Sequence, residues 1–443
     1  MSEQKNKVTP IERISRPFIH FLHIEAAGGV VLLVCTIIAL VLANSPWAQV
    51  FSNIWKLPLA FSFGELKLSH SLGHWINDGL MTIFFFVVGL EIKREVVAGE
   101  LKEKRAAILP IMAALGGMII PALFYTFSLR GSEGTTGWAI PMATDIAFVV
   151  GFLSLFGKRV PHGLKIFILT LAIVDDLGAI IIIAAVYSSN IALGALALGF
   201  LGLGLIMLLN RLGVRQIPVY VFVGMLIWFA FLVSGIHPTI AGVLLGLLTP
   251  ASAWQGDSSF LEIVSSLPNK WKSVKDKAAQ ALRRNHVKHL ITTARETISP
   301  LERLEVSLHP WVAFFIMPVF ALANAGVPLA MAAATAPVSI AVSFGLALGK
   351  PVGIVLFSWL AVNFFGAQLP VKVNWGAILG AGFLAGIGFT MSIFIAGLAL
   401  DGDLLVAGKV GTLVGSTISA IIGLGVLFFV LPKASAVSTQ VVR

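Results

Sequence analysis

The chain has 443 residues, of which 57% are hydrophobic and only 12% are charged, and its mean hydropathy is +0.94. These values exclude an ordinary soluble domain and indicate a membrane protein with several spans. The formal net charge of +10 lies mostly in short loops between apolar runs, so it predicts membrane topology rather than nucleic-acid binding. The single cysteine, Cys35, excludes a disulfide framework and a cysteine-based metal site.

Apolar runs of about 20 residues follow one another along the chain, which is the length that a membrane-spanning helix needs. Because they lack the alternation of a β-barrel, they predict an all-α membrane protein. No cleavage site follows the first run, so we interpret it as an uncleaved span. The seventh and eighth runs are short, and they are either two broken halves or one bent unit. Twelve spans are predicted, near 27–44, 72–92, 106–127, 138–156, 164–187, 191–209, 217–233, 236–249, 310–327, 338–363, 373–399 and 404–431.

Lysine and arginine are concentrated in the loops on the side of the two termini, and the opposite side has little beyond Lys56, Lys67 and Arg130. This asymmetry predicts that both termini are cytoplasmic. The resulting regions are a cytoplasmic N-terminal segment (1–26), spans one to eight (27–249), a basic cytoplasmic insertion (250–308), spans nine to twelve (309–432) and a cytoplasmic tail (433–443).

Two segments outside the spans have their own patterns. The insertion is strongly basic and partly helical around Asp276–Thr293, and we interpret it as a loop on the anionic leaflet, with regulation or partner binding as the alternative. On the opposite side, short alternation around a Phe-Gly-Glu turn predicts an outward hairpin near 46–70.

Charged residues inside the spans are few: Asp78, Asp145, Asp175, Asp176 and Lys350, with Glu91 and Glu95 near a cytoplasmic end. Asp78, near a span end, has a structural role as readily as a functional one, and Glu91 is better explained as an interfacial residue that snorkels to the membrane surface. Three aspartates and a lysine in the middle of spans are costly in lipid, so they predict a functional site.

Asp175 and Asp176 are adjacent on one helix and point about 100° apart, so they cannot face the same partner. An ion pair between one of them and Lys350 would compensate the burial of both charges. The other aspartate would then be free to titrate or to bind a cation.

Asp145 follows Pro141 and Thr144 in a span whose helix we expect to be interrupted, with a simple proline kink as the alternative. An interruption would offer carbonyl, hydroxyl and carboxylate oxygens, which suit Na⁺ or Li⁺. The spacing of Thr144, Phe148 and Gly151 in span four recurs as Thr390, Phe394 and Gly397 in span eleven. The two spans run in opposite directions, as an inverted repeat with two broken helices predicts.

Six segments in the same order resemble the NhaA-type Na⁺/H⁺ antiporters of bacterial inner membranes: PMATDIAFVVGFLSLFGKRVP, LKIFILTLAIVDDLGAIIIIA, LVSGIHPTIAGVLLG, HPWVAFFIMPVFALANAGV, GKPVGI and AGIGFTMSIFIAGLA. The resemblance runs from about Phe21 to Pro432. It implies the NhaA fold, with twelve transmembrane helices, inverted repeats, two crossed discontinuous helices in spans four and eleven, and a homodimer aided by the hairpin. The insertion near 251–300 departs from the family pattern, which puts the pH regulation in doubt.

The resemblance also implies a role for each site residue. Asp176 would be the principal carboxylate for the cation and proton, and Asp175 its neighbour, paired with Lys350; these two aspartates would hold the transported Na⁺ or Li⁺. Asp145 and Thr144 would stand at the crossing, where Asp145 offsets helix-end dipoles and assists the ion. The remaining residues resemble positions linked to pH response (Glu91, Glu95 and Glu305) or with secondary effects (Asp78 and His237).

Together these observations predict an electrogenic secondary antiporter, not an enzyme, that expels cytoplasmic Na⁺ or Li⁺ in exchange for external H⁺. The predicted partners are these ions and the lipid bilayer of a bacterial inner membrane, without nucleic acid and without a cofactor. A Na⁺-coupled solute symporter is the alternative, although no polar lining for an organic substrate is evident. An intramembrane aspartyl protease is disfavoured because its two aspartates lie on separate helices, one of them in a Gly-x-Gly-Asp context that this chain lacks.

Overall fold

The structure is a computed structural model, and it describes residues 25–63, 66–188, 191–214, 216–253 and 296–432. Three predicted regions lie outside the described residues: nearly all of the N-terminal segment, the helical pattern around Asp276–Thr293, and the tail at 433–443. The described part is almost entirely helical. Its α-helices are α1 (Glu25–Ala43), α2 (Ala48–Lys56), α3 (Leu72–Trp75), α4 (Met81–Val97), α5 (Lys104–Ser128), α6 (Ile146–Ser154), α7 (His162–Val186), α8 (Leu193–Arg211), α9 (Ile217–Ser234), α10 (Thr239–Leu248), α11 (Pro300–Trp311), α12 (Met317–Asn324), α13 (Met331–Thr335), α14 (Pro337–Phe344), α15 (Lys350–Phe364), α16 (Trp375–Ala385), α17 (Phe389–Ala399) and α18 (Gly402–Val430).

Several long helices change their winding partway. Three π-helical turns join α-helices end to end: Ile76–Leu80 between α3 and α4, Val312–Ile316 between α11 and α12, and Gly345–Gly349 between α14 and α15. A 3₁₀-helix, Thr135–Met142, precedes α6. Such turns widen or tighten the backbone locally and are frequent at functional sites.

Eight helical stretches in the described residues are long and apolar enough to cross a membrane, or ten if two bent pairs each count as one span. The bent pairs are α1 with α2, at 114°, and α16 with α17, at 47°. Twelve predicted spans therefore exceed what length and composition alone support. One predicted span coincides with α10, whose 10 residues rise only about 15 Å, half the thickness of a bilayer core. It is separate from α9, because Gly235 ends that helix with a left-handed φ of 82°.

A two-stranded antiparallel sheet follows α2. Its strands are β1 (Pro58–Phe63) and β2 (Leu66–Ser71), in a register that pairs Pro58 with Ser71 and Phe63 with Leu66. The Trp75 indole N–H donates to the Leu59 carbonyl over 3.1 Å, which ties the hairpin to the helix that carries Asp78. This end of the molecule is called the hairpin side below.

Burial separates central from peripheral helices. The most apolar stretch of α7, which carries Asp175 and Asp176, is 61% buried, whereas α8 and α9 are only 17% and 22% buried. The exposed apolar faces of α8 and α9 are typical of contact with lipid. The helix that begins at Lys350, α15, packs closely against α5. A Cβ atom on Gly116 in α5 would lie only 2.1 Å from the Gly353 carbonyl oxygen in α15. Only glycine permits two helix backbones to approach this closely.

Candidate ion site at two interrupted helices

Two helices are interrupted at the same place in the molecule. The 3₁₀-helix ends at Met142 and α6 begins at Ile146, while α16 ends at Ala385 and α17 begins at Phe389. The Asp145 N–H donates to the Ile387 carbonyl over 2.7 Å, so the two non-helical segments are hydrogen-bonded to each other.

Sequence features explain why both helices stop here. Pro141 lacks an N–H group and cannot continue the hydrogen-bonding of the first helix. In the second, Gly386 and Gly388 allow close backbone approach. A Cβ on Gly386 would lie 2.4 Å from the Leu346 carbonyl oxygen, and one on Gly388 would lie 3.0 Å from the Ala143 carbonyl oxygen.

Asp145 caps the N-termini of α6 and α17, the two half-helices that follow the interruptions. One carboxylate oxygen accepts from the Phe148 N–H of α6 over 3.3 Å. The other accepts from both the Thr390 N–H of α17, over 3.1 Å, and the Thr390 hydroxyl. A carboxylate at two helix N-termini offsets the positive ends of both helix dipoles. These hydrogen bonds leave neither Asp145 oxygen without a donor, and the dipole-offsetting role expected of Asp145 stays a prediction.

The C-terminal carbonyl groups of the two helices that lead into the interruption lie next to Lys350 and Thr144. The Lys350 ammonium donates to the Met142 carbonyl, and the Thr144 hydroxyl lies 2.9 Å from the Ala385 carbonyl oxygen. Carbonyl groups at a helix C-terminus carry a negative partial charge, so a lysine there is stabilising. Asp145 therefore supplies negative charge at the two N-termini and Lys350 supplies positive charge at the Met142 end, while the neutral Thr144 hydroxyl lies at the Ala385 end.

Asp175 and Lys350 form the ion pair that the sequence suggested. Lys350 Nζ lies 2.7 Å from Asp175 Oδ2, and neither side chain is exposed. The Thr144 hydroxyl lies 2.6 Å from the same Asp175 oxygen. Because both charges are fully buried, each depends on the other for compensation.

Asp176, one residue further along α7, has a different environment. It is 1% exposed, and neither of its carboxylate oxygens has a hydrogen-bond partner among the residues that the structure describes. The charges of Asp175, Glu91 and Asp145 lie near enough to repel an ionised Asp176. A buried carboxylate in this situation is compensated by a proton or by a cation.

The carboxylates at the interruption are too few or too far apart to surround a cation by themselves within the described residues. Across the described parts of the chain, no group of three or more His, Cys, Asp or Glu side chains is arranged to hold a metal ion. A Na⁺ or Li⁺ ion at Asp176 would thus need carbonyl, hydroxyl or water oxygens to complete its coordination.

The residues expected in the pH response lie away from the hairpin. Glu305 in α11 forms an ion pair with Arg94, whose other guanidinium nitrogen lies 3.7 Å from Glu95. Glu91 lies two turns before the end of α4 and within electrostatic range of Glu305 and Asp176. The structure thus brings these three glutamates into one group around Arg94, and the charge of Glu91 also acts on Asp176.

Asp78 and His237 meet on the hairpin side. Asp78, in the first π-helical turn, accepts from His74 Nε2 over 3.0 Å and lies 3.6 Å from His237 Nε2. The His237 ring also packs edge-on against Phe394 of α17, at 5.3 Å between centroids. This contact joins the Asp78 group to α17, the half-helix whose N-terminus Asp145 caps.

Comparison with known proteins shows the family of the chain. The family model "Na+/H+ antiporter 1" matches residues 19–427. The chain belongs to this family. A protein named Na(+)/H(+) antiporter NhaA from Rhodopirellula baltica is 50% identical over 426 residues, covering 96% of this chain and 97% of the relative. One of the same name from Rhizobium meliloti is 46% identical over 417 residues, with 94% of each chain covered.

The fold has a structural neighbour as well. The sodium proton antiporter MjNhaP1 from Methanocaldococcus jannaschii has a TM-score of 0.51 to this antiporter-family chain at 12% sequence identity, covering 93% and 97% of the two chains. At that identity the likeness concerns the fold alone. The relatives are named as transporters rather than enzymes, and their names do not support the alternative of a Na⁺-coupled solute symporter.

Several residues that contact the candidate site residues, and one further lysine inside a span, were not predicted from the sequence. Thr390 was recognised only by its spacing, and nothing indicated that it binds Asp145. Lys350 is not the only lysine inside a span, because Lys409 lies in the third turn of α18 and makes no hydrogen bond or ion pair with the described residues. In the sequence, Arg94 counts only among the basic loop residues on the side of the termini, and no prediction is made for His74. A search for basic residues within three turns of each span end would have found Arg94, His74 and Lys409.

Proposed function

We propose that the protein is an electrogenic secondary antiporter that expels cytoplasmic Na⁺ or Li⁺ in exchange for external H⁺ and so serves sodium and pH homeostasis. The observation that carries this proposal is Asp176, a buried carboxylate without a hydrogen-bond donor among the described residues. It lies beside an ion pair at the place where two helices are interrupted. Family membership supports the same exchange.

In the proposed mechanism, one carboxylate site, formed by Asp175 and Asp176, holds either protons or the cation. Because the two occupants exclude each other, their competition is the coupling, and alternating access carries each across the membrane. If two protons enter for each Na⁺ that leaves, one net charge crosses per cycle. The membrane potential then contributes about 2.3 kcal/mol per 100 mV to Na⁺ extrusion.

The neighbouring residues have distinct roles in this proposal. Asp175 is held by Lys350 and Thr144, so Asp176 takes the greater part in binding. Asp145 acts mainly on the electrostatics of the helix ends, since both of its oxygens already accept hydrogen bonds. The group formed by Glu91, Glu95 and Glu305 is proposed to respond to cytoplasmic pH, with Asp78 and His237 in a secondary role.

We also propose twelve spans, with the interrupted helices as crossed elements of two inverted repeats. Besides the eight to ten spans counted by length, the continuous helical run from α3 to α4 and the short α10 would supply the remaining two. This arrangement places both termini in the cytoplasm and the hairpin outside a bacterial inner membrane. The lipid bilayer contacts the exposed faces of α8 and α9, and the family resemblance favours a homodimer.

The experiment that tests the function compares two aspartates in everted membrane vesicles. Fluorescence dequenching on addition of Na⁺, Li⁺ or K⁺ reports proton movement. Asp176→Asn should abolish the response to Na⁺ and Li⁺, because an amide neither releases a proton nor supplies a full negative charge. Asp403→Asn, at an exposed aspartate in the first turn of α18, is the control and should respond like wild type. Normal exchange by a well-expressed Asp176→Asn protein would refute the site assignment.

A further inference from the structure

A single threonine connects the two interrupted helices through the Asp145 carboxylate. Thr390 is fully buried in the first turn of α17, and it donates to one Asp145 oxygen both from its backbone N–H and from its hydroxyl. The Phe148 N–H, also a backbone donor, serves the other oxygen. Among the described residues, the Thr390 hydroxyl is thus the side-chain donor that orients Asp145.

The orientation of Asp145 matters because of the helix ends that surround it. The N-termini of α6 and α17 point their N–H groups at this carboxylate, and each would otherwise present a positive partial charge. The same carboxylate is electrostatically coupled to Asp176. If Asp145 turned away, the uncompensated helix ends would repel a cation at Asp176.

We infer that Thr390 is a positioning residue that sets the cation affinity of the site by holding Asp145 across the two helix N-termini. The inference rests on the antiport function proposed above and assigns no direct contact between Thr390 and the ion. The inference concerns the Thr390 hydroxyl alone, because the backbone N–H of residue 390 donates to Asp145 whatever the side chain is.

The same half-helix contains a matched control. The Ser392 hydroxyl donates to the Ile140 carbonyl over 2.7 Å, so it also links the two interrupted helices. Ser392 is fully buried, like Thr390, but its bond does not involve a carboxylate. Loss of the Ser392 hydroxyl would loosen the crossing without changing the orientation of Asp145.

The test measures the apparent Michaelis constant and maximal rate for Na⁺ and Li⁺ in everted vesicles at alkaline pH, where protons compete least. Thr390→Val removes the hydroxyl and keeps the side-chain volume. It should raise the Michaelis constant for both ions about fivefold, on the order expected from loss of one buried hydrogen bond, with a smaller change in maximal rate. Thr390→Ser should restore the wild-type constant, and Ser392→Ala should leave it unchanged.

A second readout is independent of turnover. Purified wild-type protein should become more resistant to heat as Na⁺ is added, because a ligand that binds only the folded state stabilises it. Thr390→Val should need about fivefold more Na⁺ for the same stabilisation. If Thr390→Val does not accumulate in membranes, Thr390→Ala takes its place in both measurements.

The outcomes separate this inference from the proposed function. Wild-type vesicles without Na⁺-dependent proton movement would overturn both. Wild-type exchange together with an unchanged Michaelis constant in Thr390→Val would overturn the inference alone. An equal increase in Ser392→Ala, or a Thr390→Ser protein that behaves like Thr390→Val, would also overturn it, since either result would indicate general loosening of the crossing.

Discussion

Removing the positive partner of the buried ion pair should destabilise the protein measurably. Lys350→Met keeps most of the side-chain volume but leaves the Asp175 carboxylate buried without its counter-charge, and the Met142 carbonyl also loses a donor. Breaking one partner of a buried pair costs about 3–5 kcal/mol. The Thr144 hydroxyl, 2.6 Å from Asp175, still donates to the carboxylate, so we expect the lower part of this range.

A double-mutant cycle isolates the pair from other effects of the substitution. Asp175→Asn in the Lys350→Met background removes the uncompensated charge and keeps a hydrogen-bond acceptor for Thr144. We therefore expect the two changes together to cost less than the sum of the single changes, by at least about 2 kcal/mol.

The assay is unfolding of detergent-solubilised protein by SDS, followed by tryptophan fluorescence for wild type, both single variants and the double variant. Lys409→Met is the control, since Lys409 lies inside a span but makes no ion pair with the described residues. Its effect should add to that of Asp175→Asn within about 0.5 kcal/mol. Additivity of the Lys350 and Asp175 changes within the same margin would refute the ion pair.

Two further variants test the insertion and the interruption. Replacing 252–298 by a short Gly/Ser linker should preserve Na⁺-dependent proton movement with a shifted pH profile, because Leu301 N lies 3.2 Å from the Pro250 carbonyl oxygen and a short linker can join these ends. Complete loss of exchange in a folded deletion would place the insertion in the transport machinery. Gly386→Ala should destabilise the protein by about 1–3 kcal/mol in SDS titration, because its Cβ would meet the Leu346 carbonyl, whereas Gly397→Ala meets nothing within 4 Å. Equal stability of the two alanine variants would contradict the close packing.

The chemistry of the site could be predicted from the sequence because lipid makes charged residues conspicuous. Asp175, Asp176 and Lys350 stand out in apolar runs, and the energetic cost of an unpaired buried charge predicts an ion pair. Pro141 and the nearby Thr144 likewise indicate an interrupted helix, since proline removes a backbone donor.

The contacts that complete the site could not be predicted in the same way. Thr390 and Asp145 are separated by 245 positions, and their hydrogen bond depends on how two helices pack rather than on any local pattern. The π-helical turn before Lys350 has no sequence signal that we recognise. The number of spans could not be predicted for a related reason: α10 and the interrupted helices are shorter than the apolar runs of about 20 residues that indicate a span.

The central claim is that protons and Na⁺ compete for the Asp175 and Asp176 carboxylates, and the pH dependence of the apparent Na⁺ Michaelis constant tests it most directly. The measurement uses wild-type vesicles with matched internal and external pH, from about pH 6 to 9 in steps of about half a unit. As pH falls below the apparent pKa values of the pair, the Michaelis constant should rise by about tenfold per unit for one competing proton and about a hundredfold for two. The maximal rate at saturating Na⁺ should change much less, because excess cation displaces the protons. A Michaelis constant that stays flat across this range, with activity lost only through the maximal rate, would contradict competition at one site and leave a separate pH gate as the explanation.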